Sequence, residues 1–176
     1  MNTPTYTIYT DGACRHNANP LLAQGGWGAV LINPKGLRRE IAGPLDEDTK
    51  HTNVRAEMTA VIKALEQLKA PSTVQLYSDS KLVVDGCSSW LHGWKATNWI
   101  KKDKKAPENL DLWKLLDELL QIHQVSFVWI KGHSGHPENE RADQLAQAGV
   151  QGKRIKRTFE PVLSAPDTLL KPVSLY

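Results

Sequence analysis

Four acidic residues stand where the chain changes from one element to the next: Asp11 in Tyr9-Thr10-Asp11-Gly12, Glu57 in Asn53-Val54-Arg55-Ala56-Glu57, Asp79 in Tyr77-Ser78-Asp79-Ser80, and Asp143 in Glu140-Arg141-Ala142-Asp143. Grouped carboxylates suit hard divalent cations, which take oxygen ligands. A cation held that way serves phosphate chemistry by activating water and neutralising developing charge. A histidine, His133, lies between Gly132 and Gly135 just ahead of the segment that carries Asp143. An imidazole titrates near neutrality, and flanking glycines let its loop move. Taken singly, each acid has an ordinary explanation. Asp11-Gly12 makes a turn, Asp79-Ser80 starts a helix, and Glu57 and Asp143 are helix acids. Spacing alone does not bring the four together.

A second constellation runs from Trp90 to Lys105. Trp90, Trp94 and Trp99 fall within ten residues and are interleaved with and followed by Lys95, Lys101, Lys102, Lys104 and Lys105. Trp90 and Trp94 are one helical turn apart and share a face. Aromatic planes beside ammonium groups suit a nucleic-acid backbone and its sugars. The competing reading has the tryptophans in the core and the lysines merely solvated.

These residues need elements to position them. Tyr6–Thr10, Gly26–Ile32 and Leu37–Ala42 read as three strands, the last two joined by a Pro-Gly turn at 33–36, which suggests an antiparallel meander. Val54, Met58, Val61, Ile62, Leu65 and Leu68 follow helical spacing up to Pro71. Thr73–Ser78 is a fourth strand. Ser80 caps a helix over 82–94 with a break expected at Gly86. Leu110–His123 is a further helix, Val125–Ile130 a fifth strand and Pro137–Ala148 a last helix, with Gly149 as its stop. The order βββαβααβα implies an α/β fold: a five-stranded mixed sheet, three strands antiparallel and then parallel ones, flanked by helices.

The chain has 176 residues, 40% hydrophobic and 23% charged, as a single globular domain does. Residues 1–152 are expected to form that domain, and 153–176, with Pro161, Pro166 and Pro172, a flexible C-terminal tail. The net charge of +3 is uneven: Lys95–Lys105 holds five lysines against one aspartate, and Lys153–Arg157 holds four basic residues and no acid. The remainder is net acidic, so the two patches stand out as attractors of polyanions. Residues 1–10 contain no apolar signal-like core and no apolar run is long enough for a bilayer span, so a cytoplasmic protein without membrane attachment is expected. Cys14 and Cys87 read as free thiols of a reducing compartment.

The blocks Tyr9-Thr10-Asp11-Gly12-Ala13-Cys14, Thr52-Asn53-Val54-Arg55-Ala56-Glu57, Tyr77-Ser78-Asp79-Ser80 and Gly132-His133-Ser134-Gly135-His136-Pro137-Glu138-Asn139-Glu140-Arg141-Ala142-Asp143 resemble the signature blocks of the type I ribonucleases H, close to the bacterial ribonuclease HI enzymes. They occur in the family's order from about Tyr6 to Gly149. The resemblance implies an endonuclease that hydrolyses the RNA strand of RNA/DNA hybrids and leaves 5′-phosphate and 3′-hydroxyl ends. It implies two magnesium ions, with manganese as a substitute, on Asp11, Glu57, Asp79 and Asp143, and His133 in proton transfer. It also implies that residues 90–105 form the basic handle that holds the DNA strand, that Thr52 and Asn53 meet the same strand, and that Cys14 and Asn17 lie near RNA 2′-hydroxyls. No obligate protein partner is implied, and a monomer is expected. One departure concerns the loop 17–26, about four residues longer by motif counting than the compact turn of many relatives. This leaves Asn17 and Asn19 as alternatives for the RNA contact, with Leu21-Leu22 expected to pack locally. A hybrid-binding module without activity, and a DNA-processing enzyme of the same fold class, are the rivals. The intact acid set opposes the first, and the basic segment with the His133 block opposes the second.

Overall fold

The computed structural model describes residues 5–161. Strands β1 (Thr5–Arg15), β2 (Gln24–Ile32) and β3 (Leu37–Pro44) form the expected antiparallel meander. The β2–β3 turn closes on Asn33, whose side chain accepts from the Lys35 and Leu37 amides at 3.0 and 2.9 Å, while Gly36 adopts a left-handed φ of 80°. Helix α1 (Asn53–Leu65) leads to β4 (Thr73–Ser78), parallel to β1. Short helices α2 (Lys81–Asp85) and α3 (Leu91–Ala96), then α4 (Leu110–Ile122), lead to β5 (Gln124–Trp129), parallel to β4. Helix α5 (Pro137–Val150) follows.

Among the described residues the sheet has seven strands, not five. Ile155–Lys156 (β6) and Glu160–Pro161 (β7) pair antiparallel with the free edge of β3. Two-residue pairings show no alternation that a sequence pattern can reveal. The first part of the expected flexible tail is thus joined to the sheet. Phe159 packs under Arg39, whose guanidinium carbon lies 4.4 Å from the ring centroid. Residues 162–176 of that tail lie outside the described residues.

The core lies on both faces of the sheet. Ile8, Leu31, Ile41 and Leu76 meet Met58, Val61 and Leu65 of α1 and Leu116 of α4, all fully buried. Each such side chain contributes about 1.5–3 kcal/mol through removal from water. On the opposite face Val30 and Ala42 meet Ala142, Leu145 and Ala148 of α5.

Two glycines do something other than expected. Gly86 does not break its helix: residues Gly86–Trp90 continue as a π-helical stretch. A Cβ there would come within 2.2 Å of the Trp113 ring, so the glycine admits an indole. Gly149 lies inside α5, which ends at Val150, and the left-handed residue is Gly152 (φ 85°). A Cβ on Gly149 would lie 2.3 Å from the Gly43 carbonyl oxygen, and one on Gly26 would lie 2.1 Å from the Val150 nitrogen. Helix α5 therefore rests backbone to backbone on β2 and β3. Gly26→Ala should lower the unfolding free energy by about 3 kcal/mol, since the added carbon meets main chain that has no flexible end to move aside. Urea denaturation measures this.

Candidate active site

The acids come together because of three backbone features. The parallel register pairs Thr10 with Ser78, so Asp11 and Asp79 are the next residues along adjacent strands. This is the seam where antiparallel β2 and parallel β4 flank β1, a place where α/β sheets leave a crevice. Helix α1 then comes so near β1 that a Cβ on Gly12 would lie 2.2 Å from the Glu57 nitrogen. Only glycine permits that approach. The loop after β5 closes in the same way, since a Cβ on Gly132 would lie 2.8 Å from Asp79 Oδ2.

As a result Asp11, Glu57 and Asp79 each offer a carboxylate oxygen within 4.8 Å of the others. Asp143 does not belong to that tight set, but it is close enough for its charge to act on both Asp11 and Asp79. Burial, then the charge of Asp79, pushes the Asp11 carboxyl from its ordinary 3.8 up to about 8, against the lowering effect of hydrogen bonds from Glu57 and Gly12. Burial, then the charge of Asp11, raises Glu57 well above the usual carboxylate range. Asp79 is raised by burial and by Asp143, while His133 and a hydrogen bond from Asn139 favour its charged form. The Glu57 Oε2 is buried without a hydrogen-bond partner. An orphaned carboxylate oxygen among like charges is what a divalent cation would satisfy, so the donor set fits a metal.

His133 is exposed, with a left-handed φ of 54°. Asn139, missed in the sequence, is 3% exposed in the first turn of α5. Its place in Pro137-Glu138-Asn139-Glu140 next to a candidate acid helix was the available signal. Trp129, also missed, donates its indole N–H to the Asp79 carbonyl at 3.1 Å.

Thr52 caps α1 and accepts from the Arg55 amide at 3.1 Å. Asn17 Oδ1 accepts from the Asn53 amide at 2.9 Å, which ties the long loop to the helix start. Asn19 instead shapes its own loop, its side chain accepting from the Leu21 amide. Leu21 and Leu22 do not pack locally: they are 95% and 57% exposed. Cys14 is half-buried near the end of β1. The hydrogen bonds of Thr52, Asn17 and Asn19 go to backbone amides of this region and not to the acid cluster.

The handle divides its tryptophans. Trp94 and Trp99 pack against the core; Trp94 meets Trp113 edge-on at 5.3 Å, and Trp90 at 5.8 Å. Trp90 is 40% exposed and, with Trp94, Ile100, Lys101, Lys102 and Lys104, lines a groove of about 640 Å³. Lys95 pairs with Asp117 at 3.2 Å and Lys101 with Asp103 at 3.3 Å.

The family model for RNase H matches residues 3–151. The chain belongs to the ribonuclease H family. It is 52% identical over 150 residues to the ribonuclease H of Thiobacillus denitrificans, an alignment that covers 85% of this chain and 96% of that one. With the ribonuclease H of Mesorhizobium japonicum it shares 48% over 159 residues, 90% of this chain and 85% of the relative. Among solved structures it resembles LC9-RNase H1, a type 1 RNase H with the type 2 active-site motif, with a TM-score of 0.77 and 27% identity over 98% of this chain and 88% of that one. The chain is accordingly a nuclease, a phosphodiester hydrolase acting on the RNA strand of RNA/DNA hybrids, and its family is metal-dependent.

The raised carboxyls make a prediction about the metal-free protein. A carboxyl whose pKa rises on folding holds its proton more tightly in the native state than in the unfolded one. Between the ordinary value of 3.8 and the raised value of about 8, the native state therefore carries more protons, and stability falls as pH rises through that window. In chelator, urea denaturation should show the wild type losing stability from about pH 5 to pH 8. Asp11→Asn should flatten the loss, and a divalent cation should oppose it by binding the native state.

Proposed function

We propose that Asp11, Glu57, Asp79 and Asp143 hold two divalent cations, magnesium with manganese as a substitute, and that the chain cleaves within the RNA strand of a hybrid to leave 5′-phosphate and 3′-hydroxyl ends. The observation that carries this reading is the convergence of three carboxylates within 4.8 Å in a chain of this family. When bound, the ions supply an activated water and neutralise charge at the departing 3′ oxygen. The chain's own residues do the rest. Glu57 brings the orphaned oxygen, and Asn139 keeps the Asp79 carboxyl oriented by a hydrogen bond. His133, exposed on a loop between two glycines and attracted to Asp79, carries the proton between the reacting oxygens and solvent.

Binding is separate from chemistry. Trp90, Trp94 and Trp99 with Lys95, Lys101, Lys102, Lys104 and Lys105 hold the DNA strand. Thr52 and Asn53 at the start of α1 meet the same strand, since a helix start favours phosphate. Cys14 and Asn17 read the RNA 2′-hydroxyls, which distinguish RNA from DNA. The partner is an RNA/DNA hybrid. The protein works as a cytoplasmic monomer, with 1–152 as the catalytic domain; among the described residues no helix is long and apolar enough to cross a membrane.

The experiment is cleavage of a labelled RNA/DNA hybrid in magnesium, beside duplex RNA and duplex DNA. Only the hybrid should be cut, and Asp79→Asn should nearly abolish cutting while hybrid affinity is kept, because the amide retains the shape and loses the charge. Near-normal turnover by this variant would remove Asp79 from the metal set. Changing Lys101, Lys102, Lys104 and Lys105 together to alanine should raise KM far more than it lowers kcat. Each lost phosphate contact should flatten the slope of log K against log salt by about 0.7–0.9. An unaltered salt slope would leave these lysines as a solvated face.

A further inference from the structure

Helix α5 is fixed to the sheet by two different means along its length. Its later turns, from Ala142 to Val150, sit directly on Gly26 and Gly28, where an added Cβ would meet α5 main chain or the Leu145 Cβ, and Gly149 lies against the Gly43 carbonyl. Its start, from Glu138 to Arg141, is held by charge. Arg141, 2% exposed, forms a two-pronged pair with Glu40 of β3, 7% exposed: Nε to Oε2 at 2.5 Å and Nη2 to Oε1 at 3.0 Å. Arg38 lies 3.1 Å from Glu40 and 3.0 Å from Glu138, which joins the same carboxylate to the start of α5. Arg157, beyond the last helix, approaches Glu40 from the other side at 3.4 Å, and its amide donates to the Glu40 carbonyl at 3.0 Å. One buried carboxylate thus gathers three guanidinium groups from β3, α5 and the segment after α5.

We propose that Glu40 is a positioning residue for the active site, fixing the start of α5 at Arg141 and through it the place of Asn139 and, together with the backbone seat of the later turns, that of Asp143. The proposal rests on the metal-site reading above. A two-pronged guanidinium–carboxylate pair fixes both distance and orientation, which a single contact does not. Arg141 stands between Asn139, which hydrogen-bonds Asp79, and Asp143, whose charge acts on Asp11 and Asp79. The helix is rigid over one turn, so the pair that locates Arg141 locates both neighbours. Arg157 belongs to this network and is not a loose member of a basic patch.

The test is Glu40→Gln, which keeps the stem and removes the charge, studied well below its melting temperature. Calorimetry of Mn2+ binding to the protein alone should show affinity reduced roughly tenfold, the size typical of groups that orient metal ligands, and kcat on hybrid should fall by about as much. KM for hybrid should stay within about twofold, because the network does not line the substrate groove. Wild-type Mn2+ affinity and kcat in the folded variant, whatever its melting temperature, would show that Glu40 only stabilises the fold. If Glu40→Gln does not fold, Arg38→Met leaves the Glu40–Arg141 pair and breaks the link to Glu138. It should move both quantities the same way by about threefold, a smaller share of the same effect. Wild-type values there would overturn the proposal. A wild-type protein that binds Mn2+ but leaves hybrids uncut would instead defeat the functional reading, and the calorimetric comparison would still decide the role of Glu40.

Discussion

The structure turns on one contact, the approach of α1 to β1 at Gly12. A side chain there would drive into the Glu57 nitrogen and the Ala56 carbonyl carbon, so any other residue would force helix and strand apart. At the distance that glycine allows, Glu57 reaches Asp11, and two carboxyls are held together in a partly dry place where both resist ionisation. That arrangement opposes folding and does not assist it. Like charges in low dielectric repel strongly, and desolvation adds to the cost. The opposing force is the apolar contact of α1 with the sheet through Met58, Val61 and Leu65, which are completely buried. The helix that carries the unfavourable acid also carries some of the largest fully buried side chains. The site can be electrostatically strained because the helix that strains it is itself held by a fully buried apolar face.

The other acids reach the site by the same kind of constraint. Asp79 follows from strand register, and Gly132 lets the next loop fold down onto its carboxyl. Asp143 arrives on a helix seated on bare backbone, where Gly26 and Gly28 on the sheet and Gly149 on the helix omit the side chains that would lift α5 from β2 and β3. Backbone contact resists tilting because there are no rotamers to adjust. The first turn has no such seat and uses ion pairs, which are directional but exchangeable. The site therefore joins parts held in different ways: two strand ends and a packed helix fixed by close backbone contact, a helix start held by charge, and an exposed histidine loop between Gly132 and Gly135.

Much of this was legible in the residues. The five principal strands, the order of elements and the acids' positions at strand ends and on helices all follow from periodicity and from Gly and Pro placement. What escaped has physical reasons. Gly86 reads as a helix breaker because glycine weakens helices, yet its use is to admit Trp113 from a helix more than twenty residues away. Gly149 reads as a helix stop for the same reason, while the carbonyl it must clear belongs to Gly43 on β3. Strands β6 and β7 are too short to alternate. The Glu40 network draws on residues 38, 40, 138, 141 and 157, and no window of sequence contains them together. Asn17 and Asn19 look equivalent in a row of polar residues. Their difference depends on where the start of α1 lies, and Asn17 faces it. Local signals report on the chain near them, and these features are contacts between distant segments.

The segment from Trp90 to Lys105 combines a packed base with an exposed basic groove. Its tryptophans were either core or nucleic-acid surface, and its lysines either solvated or functional. The fold answers residue by residue. Trp94 is fixed edge-on against Trp113 and packs on the core, so it anchors the projection. Trp90, stacked at a tilt on Trp94, keeps a large exposed face toward the groove that Lys101, Lys102 and Lys104 share. Lys95 turns back to Asp117 and fastens the helix to α4. An exposed aromatic surface is useful to a flexible polyanion only if it is rigid, since ordering it on binding would cost affinity. Half-buried Trp94 and the Lys95–Asp117 pair supply that rigidity to the surface formed by Trp90 and the groove lysines. The basic groove and the carboxylate crevice share the core that both are built on but none of their own side chains, so the binding proposed for one can be tuned apart from the cleavage proposed for the other.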